Sequence, residues 1–217
     1  MKLATPGAFA RDPSLVWDWY RERRQRIRNA QPNPAHRAIA KLAGQTSEFL
    51  LVTQNVDDLH LRAGLPREKI VQIHGDIFIT RCSRCDFKRH EHEHEHDDDG
   101  LPKCPECGAL MRPGVVWFGE ELDAAKIETV ENFMTDSGCD LVIVAGTTAL
   151  FGYIIDWALR GRGQTGQLIE VNPEETSLSQ FANKSFREPA GIVLPRLVNE
   201  LVADLVSDRL RRASPYR

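Results

Sequence analysis

The amino-acid sequence predicts an α/β fold, in which a doubly wound parallel sheet carries a small cysteine-rich module. Short apolar runs alternate with longer helix-like segments along the 217 residues, and this alternation is typical of a parallel sheet. Three of the apolar runs end in polar or glycine-rich residues, and such sheets bind ligands at the carboxyl ends of their strands. Two Cys-x2-Cys pairs interrupt the alternation.

Residues 1–48 are predicted to be helical. Asp12-Pro13 and Asn33-Pro34 each place a capping side chain before a proline at the first helical position. We therefore predict helices over about 12–28 and 34–42.

The remaining runs supply the strands and helices of the sheet. Short, continuously apolar runs are typical of buried strands, and longer amphipathic segments are typical of the helices between them. The predicted strands are 49–52, 70–73, 141–145 and 168–171, with a further apolar run at 115–118, and the predicted helices are 123–135, 154–160 and 197–210.

Composition and charge argue against several classes of protein. The length fits one domain, or one domain with a small module. The net charge of −3 gives no basic surface for nucleic acid, and no apolar run approaches a membrane span. No signal-peptide pattern is present, so we expect a reduced, cytoplasmic protein with no nucleic-acid or membrane partner.

The paired cysteines predict a zinc site. Eighteen residues separate Cys82 and Cys85 from Cys104 and Cys107, which lies within the spacing of tetrahedral zinc sites. Four thiolates fill every coordination position, so we expect one structural zinc per chain. Two disulfides or four free thiols are the alternatives. Between the pairs, the alternating His and Glu over 90–96 are interpreted as a solvated loop, with binding of a stray transition metal as the alternative.

Several motifs together resemble one protein family. In chain order they are Thr53 to Asp57, His74-Gly75, the paired cysteines, Val115 to Glu120, and Gly146-Thr147-Thr148. Over nearly the whole chain this order is similar to that of the sirtuins, which are NAD-dependent protein lysine deacylases. The resemblance implies a Rossmann-like NAD-binding domain over 49–75 and 114–217, a zinc-binding module over 76–113, and the helical part of the small domain over 1–48.

The resemblance implies an enzyme that consumes NAD as a co-substrate. In sirtuins the acyl oxygen of the substrate lysine attacks C1′ of the nicotinamide ribose and nicotinamide leaves. A base then activates a ribose hydroxyl, and O-acyl-ADP-ribose is formed. His74 matches the base, and histidine suits a base near neutral pH. A histidine that only caps the end of its strand is the alternative.

Residues at the strand ends match the family's NAD contacts. Asn55 and Asp57 match positions at the ribose and nicotinamide end, and Gln54 matches a ribose contact. Short polar side chains at strand ends also act as simple caps, which is the alternative for these residues. For the remaining NAD contacts, which include the adenosine side, the resemblance assigns Gly146, Thr147, Thr148, Asn172 and Ala190.

The segment from Val115 to Glu120 resembles the strand that pairs with the backbone of an acylated protein or peptide. This mode of binding is β-augmentation, and it gives affinity with little sequence selectivity. A plain core strand is the alternative. The residues assigned to the peptide and to the acyl-lysine tunnel are Val116, Trp117, Phe118, Gly119 and Leu122.

Tyr20 and Arg23 resemble the pair that marks sirtuins preferring succinyl, malonyl or glutaryl lysine. They are three residues apart on a predicted helix and therefore share one face. Arginine can hold a distal carboxylate with two hydrogen bonds, and the tyrosine hydroxyl can add a third. Because other arginines surround Arg23, an ordinary solvated arginine face is the alternative.

The sequence departs from the family at its beginning. The Gly-Ala-Gly-x-Ser loop that holds the NAD phosphates in sirtuins does not occur in the 217 residues. We expect a fragment or a degenerate member, with weak NAD binding and little turnover by these residues alone. Two alternatives to the enzyme are an impaired protein that only binds ADP-ribose or acyl-lysine peptides, and a plain zinc-stabilised interaction module.

Overall fold

The computed structural model describes residues 3–91, 100–134 and 138–213, with side chains to residue 207. The chain divides into two compact units. In the described part of the chain, no helix is both long enough and apolar enough to cross a membrane. Most of the alternating His and Glu run lies outside the described residues. The first unit comprises Met1–Gln31, Leu51–Leu59 and Ile70–Ile127, and the second comprises Pro32–Leu50, His60–Lys69 and Glu128–Arg217.

Helices and strands alternate along most of the described chain. In chain order the helices are α1 (Pro6–Arg11), α2 (Pro13–Asn29), α3 (Pro34–Gln45), α4 (Leu59–Arg62), α5 (Ala124–Phe133), α6 (Gly152–Arg162) and α7 (Ala190–Ala213). The strands are β1 (Leu51–Thr53), β2 (Ile70–Gln72), β3 (Gly75–Cys82), β4 (Lys88–His90), β5 (Met111–Val115), β6 (Leu141–Ala145), β7 (Gln167–Val171) and β8 (Lys184–Phe186).

The first long helices start where the capping side chains predict. The Asp12 carboxylate accepts a hydrogen bond from the backbone N–H of Leu15 in α2. The Asn33 side chain accepts from the N–H groups of Ala35 and His36 in α3. Both helices begin with a proline, whose missing N–H costs nothing in the first turn. The predicted starts of these two helices are therefore confirmed.

The first unit combines a parallel pair of strands with an antiparallel sheet. Strands β1 and β2 run parallel, with Thr53 opposite Gln72. Strand β3 lies between β4 and β5, and both of its neighbours are antiparallel to it. Helix α2 covers this sheet, because Val16 and Tyr20 are buried in one cluster with Ile77 of β3.

The second unit contains a three-stranded parallel sheet in the order β6-β7-β8. Alternate residues of β6 belong to different core clusters. Leu141 and Ile143 pack with α3 and α7, whereas Val142 and Val144 pack with α6. Since successive side chains of a strand point to opposite faces, helices cover both faces of this sheet. The doubly wound α/β class predicted from the sequence is confirmed.

Helix α7 begins earlier than the sequence predicts. It starts at Ala190, before the predicted position 197, and it contains Pro195. A proline inside a helix costs about 3 kcal/mol. Val193 and Leu194 of the added turns are buried in the core, at 0% and 2% exposure. Burying each such side chain contributes about 1.5–3 kcal/mol, which offsets the proline.

Candidate active site and metal centre

His74 lies in the tight connection between β2 and β3 of the first unit. Its backbone carbonyl accepts a hydrogen bond from the N–H of Val116 at 2.8 Å. Gly75 follows with a φ of +87°, and a Cβ on it would lie 2.2 Å from the carbonyl oxygen of Gly114. Only glycine permits this close approach. The pair His74-Gly75 therefore brings the histidine against the end of β5.

The imidazole of His74 is half-buried and is arranged as a neutral base. The backbone carbonyl of Gln54 accepts a hydrogen bond from the ring, so one nitrogen carries hydrogen and the other keeps its lone pair. Burial lowers the pKa of His74, the Gln54 carbonyl opposes this shift, and the charge of Lys126 adds to it. The net lowering keeps the lone pair available near neutral pH.

The polar residues after β1 lie at the same strand ends as His74. Gln54 is partly buried and contacts the His74 ring through its carbonyl, whereas Asn55 is exposed. Asp57 accepts the first backbone N–H of α4 at 3.0 Å, so its side chain caps a helix. The Gln72 side chain donates to the Asp57 carbonyl at 2.7 Å and ties the ends of β1 and β2 together. One carboxylate oxygen of Asp57 therefore caps a helix, as the alternative interpretation predicts. The other carboxylate oxygen remains available to a ligand.

The second unit brings Gly146, Thr147 and Asn172 together. Strands β6 and β7 are parallel neighbours with Ala145 opposite Val171, so the loops after them leave the sheet side by side. The Asn172 side-chain amide donates to the Thr147 carbonyl at 3.2 Å. Gly146 has a φ of +64° and donates its N–H to the Val171 carbonyl at 3.0 Å.

The loop after β6 also contains a residue that the sequence does not single out. Thr148 is exposed, and Ala149 beyond it is buried with a φ of +51°. A left-handed conformation is uncommon outside glycine and is held here by burial and by a hydrogen bond from Ala149 N–H to the Thr147 hydroxyl. Ala190 lies at the start of α7, after β8.

The segment after β5 has no regular secondary structure. Of the apolar run at 115–118, only Val115 belongs to the strand. Trp117 is buried at 2% exposure, Phe118 and Gly119 are exposed, and Leu122 is partly buried. Three successive N–H groups are used inside the unit: Val116 donates to the His74 carbonyl, Trp117 to the Glu120 carboxylate, and Phe118 to the Ala4 carbonyl.

A largely buried ion pair, which the sequence analysis does not single out, holds this segment in place. Arg112 donates to both carboxylate oxygens of Glu120 and to the Val115 carbonyl at 2.9 Å. Its guanidinium lies 3.4 Å from the ring centroid of Trp117. Burial alone would raise the pKa of Glu120, but the hydrogen bonds from Arg112 and from Trp117 N–H hold it below its usual value. Charged residues flanking an apolar strand are the one available signal of such a pair.

Tyr20 and Arg23 lie on the same helix but differ in burial. The Tyr20 ring is 3% exposed, and its hydroxyl oxygen accepts from the indole N–H of Trp117 at 2.9 Å. Arg23 is exposed, with its guanidinium 4.7 Å from the ring centroid of Trp19. Burial raises the pKa of Tyr20, against opposing effects of the Trp117 hydrogen bond and the nearby Arg23 charge. The hydroxyl therefore keeps its hydrogen at neutral pH.

The four paired cysteines converge in the first unit. Their sulfur atoms all lie within 4.8 Å of one another. The sulfurs of Cys82 and Cys107 are 3.4 Å apart, and those of Cys85 and Cys104 are 3.6 Å apart. A tetrahedral zinc with Zn–S bonds of about 2.3 Å places its sulfurs about 3.8 Å apart. The N–H groups of Arg84 and Cys85 donate to the Cys82 sulfur, as suits a thiolate. The cluster fits one structural zinc, and none of its four cysteines is joined in a disulfide.

Comparison with known proteins decides the family. The model of the Sir2 family matches residues 1–151. The chain belongs to the Sir2, or sirtuin, family. The NAD-dependent protein deacylase of Thermococcus kodakarensis is 40% identical over 215 residues, which cover 96% of this sirtuin and 81% of the relative. The NAD-dependent protein deacylase 1 of Archaeoglobus fulgidus is 42% identical over 201 residues, covering 92% and 80%.

Solved sirtuin structures share the fold. A complex of a Sir2 homolog with NAD has a TM-score of 0.85 at 41% identity, and the match covers 94% of this chain and 77% of that chain. A complex of Sir2 with a p53 peptide and NAD+ has a TM-score of 0.78 at 27% identity, covering 88% and 79%. The resemblance read from the motifs is thus confirmed for the fold of this sirtuin.

Proposed function

We propose that this sirtuin removes acyl groups from protein lysines in an NAD-dependent reaction, with preference for succinyl and malonyl groups. The observation that carries the reaction is the half-buried His74, whose ring is hydrogen-bonded to the Gln54 carbonyl and whose pKa is lowered. Relatives named NAD-dependent protein deacylases support the same reaction. The products would be nicotinamide and O-acyl-ADP-ribose.

The residues at the strand ends have the chemistry that NAD requires. NAD supplies the reactive C1′ of a ribose together with nicotinamide as leaving group. In the second unit, Gly146 lets a ligand approach the backbone because it has no Cβ. Asn172 donates its amide to Thr147, which orients its side-chain oxygen as an acceptor for a ribose hydroxyl. In the first unit, the exposed Asn55 can donate and accept at the nicotinamide end.

His74 is assigned the proton transfer. The Gln54 carbonyl holds the hydrogen of one ring nitrogen, so the other nitrogen is the acceptor that can take a proton from a ribose hydroxyl. The lowered pKa keeps that nitrogen unprotonated at neutral pH, and the tight turn at Gly75 limits movement of the ring. This arrangement supports the catalytic interpretation over a histidine that only caps its strand.

The acyl preference is assigned to Arg23 and Tyr20. Arg23 is exposed and makes no hydrogen bond or ion pair with the described residues, so its guanidinium is available to a carboxylate. Its charge lies close enough to Tyr20 to lower the pKa of that hydroxyl. A succinyl or malonyl carboxylate would therefore meet a guanidinium and a protonated hydroxyl within one region of α2.

The acylated peptide is proposed to pair near Gly119. The N–H groups of Val116, Trp117 and Phe118 are used inside the first unit, so the substrate backbone would meet the exposed end of this segment. The solved sirtuin with a propionylated peptide supports an acyl-lysine peptide as substrate class. A reducing compartment such as the cytoplasm stays part of the proposal, because zinc needs reduced thiolates.

The test uses the chain extended by the Gly-Ala-Gly-x-Ser segment of the family, because little turnover is expected from the 217 residues alone. It compares one peptide that carries succinyl-, malonyl- or acetyl-lysine at the same position. Nicotinamide release and the mass of the peptide product are followed with and without NAD. We expect NAD-dependent loss of the acyl group, with a higher kcat/KM for succinyl and malonyl than for acetyl. Binding of ADP-ribose without turnover of any peptide would favour the binding-only protein. A preference for acetyl would contradict the assignment of Arg23 and Tyr20.

A further inference from the structure

We infer that Trp117 is a positioning residue for acyl selection, because its indole N–H holds the Tyr20 hydroxyl so that this hydroxyl donates toward the acyl carboxylate. The inference rests on the proposed preference for acidic acyl groups. It changes the role of Trp117, which the motif alone assigns to direct contact with the peptide.

The hydrogen bond between Trp117 and Tyr20 has a fixed direction. The indole Nε1 lies 2.9 Å from the Tyr20 hydroxyl oxygen. An indole nitrogen only donates, so the tyrosine oxygen must accept. The hydrogen of the hydroxyl is then directed away from Trp117, and it has no second protein partner among the described residues. A carboxylate accepts such a hydrogen and offers none in return.

Burial keeps both partners in this arrangement. Trp117 and Tyr20 are 2% and 3% exposed and belong to one apolar cluster of the first unit. Phe9 packs against the indole with ring centroids 5.3 Å apart. Because both side chains are almost fully buried, a hydrogen bond between them is stronger than one on the surface.

Arg112 also packs against the indole. The guanidinium lies 3.4 Å from the ring centroid of Trp117 and is itself held by Glu120. The same carboxylate accepts the backbone N–H of Trp117 at 2.8 Å. One ion pair therefore holds both the ring and the backbone of Trp117 in place. This fixes the direction in which the indole N–H points.

Trp117→Phe removes the donor and keeps an aromatic ring. Without the indole N–H, nothing fixes the direction in which the Tyr20 hydroxyl donates its hydrogen. We expect the succinyl-to-acetyl ratio of kcat/KM to fall about two- to tenfold, which is what one hydrogen bond contributes. The loss should appear as a larger rise in KM for the succinyl peptide than for the acetyl peptide. Structural damage alone would affect both peptides alike.

Trp17→Phe is the matched control. Trp17 is also 2% exposed in the first unit, and its indole donates to the Met111 carbonyl at 3.0 Å. The change removes the same group at the same burial, but the hydrogen bond that is lost goes to Met111 and not to Tyr20. We expect the acyl ratio to stay at the wild-type value in this variant. A similar fall in both variants would overturn the inference.

Tyr20→Phe separates this inference from the proposed function. If Tyr20→Phe and Arg23→Met both leave the acyl ratio unchanged, the assignment of the acyl preference to these two residues is wrong. If they lower the ratio and Trp117→Phe does not, the preference stands and the positioning role of Trp117 is wrong. In the supported case, Trp117→Phe combined with Tyr20→Phe has the same ratio as Tyr20→Phe alone, because one hydroxyl carries both effects.

A measurement on the wild-type protein decides the matter if Trp117→Phe fails to fold. The chain has four tryptophans, and their indole N–H signals are resolved by ¹⁵N labelling and NMR. Trp17→Phe, Trp19→Phe and Trp157→Phe each remove the signal of one other indole, so the remaining signal is that of Trp117. It should move on addition of the succinyl-lysine peptide and stay in place with the acetyl-lysine peptide. Equal responses to both peptides would contradict the inference.

Discussion

At the scale of single residues, the structure separates arginines that look alike in the sequence. Arg24 of α2 is 1% exposed and donates to backbone carbonyls of β3. Arg21 and Arg26 pair with acidic residues one turn away on the same helix. Arg23 instead lies exposed over Trp19. The sequence interpretation of a solvated arginine face fits some of these side chains, and Arg23 differs in having no acidic partner among the described residues.

Arg23→Met should remove most of the acyl preference. The carboxylate of a succinyl group would then lose its cationic partner, whereas an acetyl group has no carboxylate to lose. One charge-assisted hydrogen bond contributes about 1.5–3 kcal/mol, or roughly ten- to a hundredfold in kcat/KM. Arg26→Met is the control, because it removes another exposed arginine of the same helix. A succinyl-to-acetyl ratio that stays constant in Arg23→Met would make Arg23 an ordinary surface residue.

His74→Ala should abolish deacylation and leave the fold intact. The side chain is half-buried, and its turn is held by backbone hydrogen bonds and by Gly75. Loss of a positioned base typically costs about 10²–10⁴-fold in rate. Nicotinamide release measures the rate, and thermal unfolding monitors the fold. His90→Ala, which removes an exposed histidine of β4, should keep full activity, and near-normal turnover in His74→Ala would exclude it as the base.

At the scale of elements, β3 and β5 join the candidate base to the zinc cluster. Strand β3 begins at Gly75, directly after His74, and ends at the zinc ligand Cys82. Its pairing with β5 places Gly75 opposite Val115 and Cys82 opposite Met111. The zinc cluster therefore closes one end of a strand ladder whose other end carries His74. Loss of the metal should loosen both ends.

Cys104→Ser should unfold the first unit and with it the activity. Structural zinc sites supply about 10–16 kcal/mol of binding free energy in small peptides, which matches the whole stability of a typical domain. Metal analysis should find one zinc per wild-type chain and much less in the variant, together with lower solubility. Cys139→Ser lies outside the cluster and should keep zinc and activity. A folded, fully active Cys104→Ser protein would contradict a structural role for the metal.

At the scale of the whole molecule, the stability of the folded state at acidic pH depends on a histidine that no motif in the sequence singles out. His60 of the second unit is 8% exposed, with its ring centroid 4.6 Å from that of His36. Burial lowers the pKa of His60 from 6.5 to about 4, and the charge of His36 adds to the shift. Its Nδ1 has no hydrogen-bond partner in the described chain. The folded state therefore favours the neutral ring.

The stability of the protein should fall on acidification through the titration of His60. The folded pKa of about 4 lies below the unfolded value of 6.5, so between these values the unfolded chain binds more protons. The contribution is complete above pH 6.5 and is lost progressively toward pH 4, by about 1–2 kcal/mol at pH 5. Denaturant unfolding at pH 7 and pH 5 measures it. His60→Asn should reduce the difference, and an unchanged difference in this variant would be the contrary result.

The sequence by itself determined the features that depend on near neighbours or on a regular period. These features include the caps at Asp12 and Asn33, the strand at 141–145 and the four zinc ligands. A cap bonds within three residues, a buried strand shows as a continuous apolar run, and a cysteine knuckle closes over two residues. The order of the motifs was also enough to indicate the family, which the comparisons confirm.

Only the tertiary structure decided what distant residues do to one another. Trp117 and Tyr20 are 97 positions apart in the sequence. No pattern in the sequence predicts that the indole N–H of Trp117 donates to the hydroxyl of Tyr20. The same holds for the close approach of Lys126 to His74, and for the His36 ring beside His60. Burial and the partners of a buried polar group depend on how the elements pack. Hydrogen-bond direction and pKa follow from that packing, so they become visible only in the folded chain.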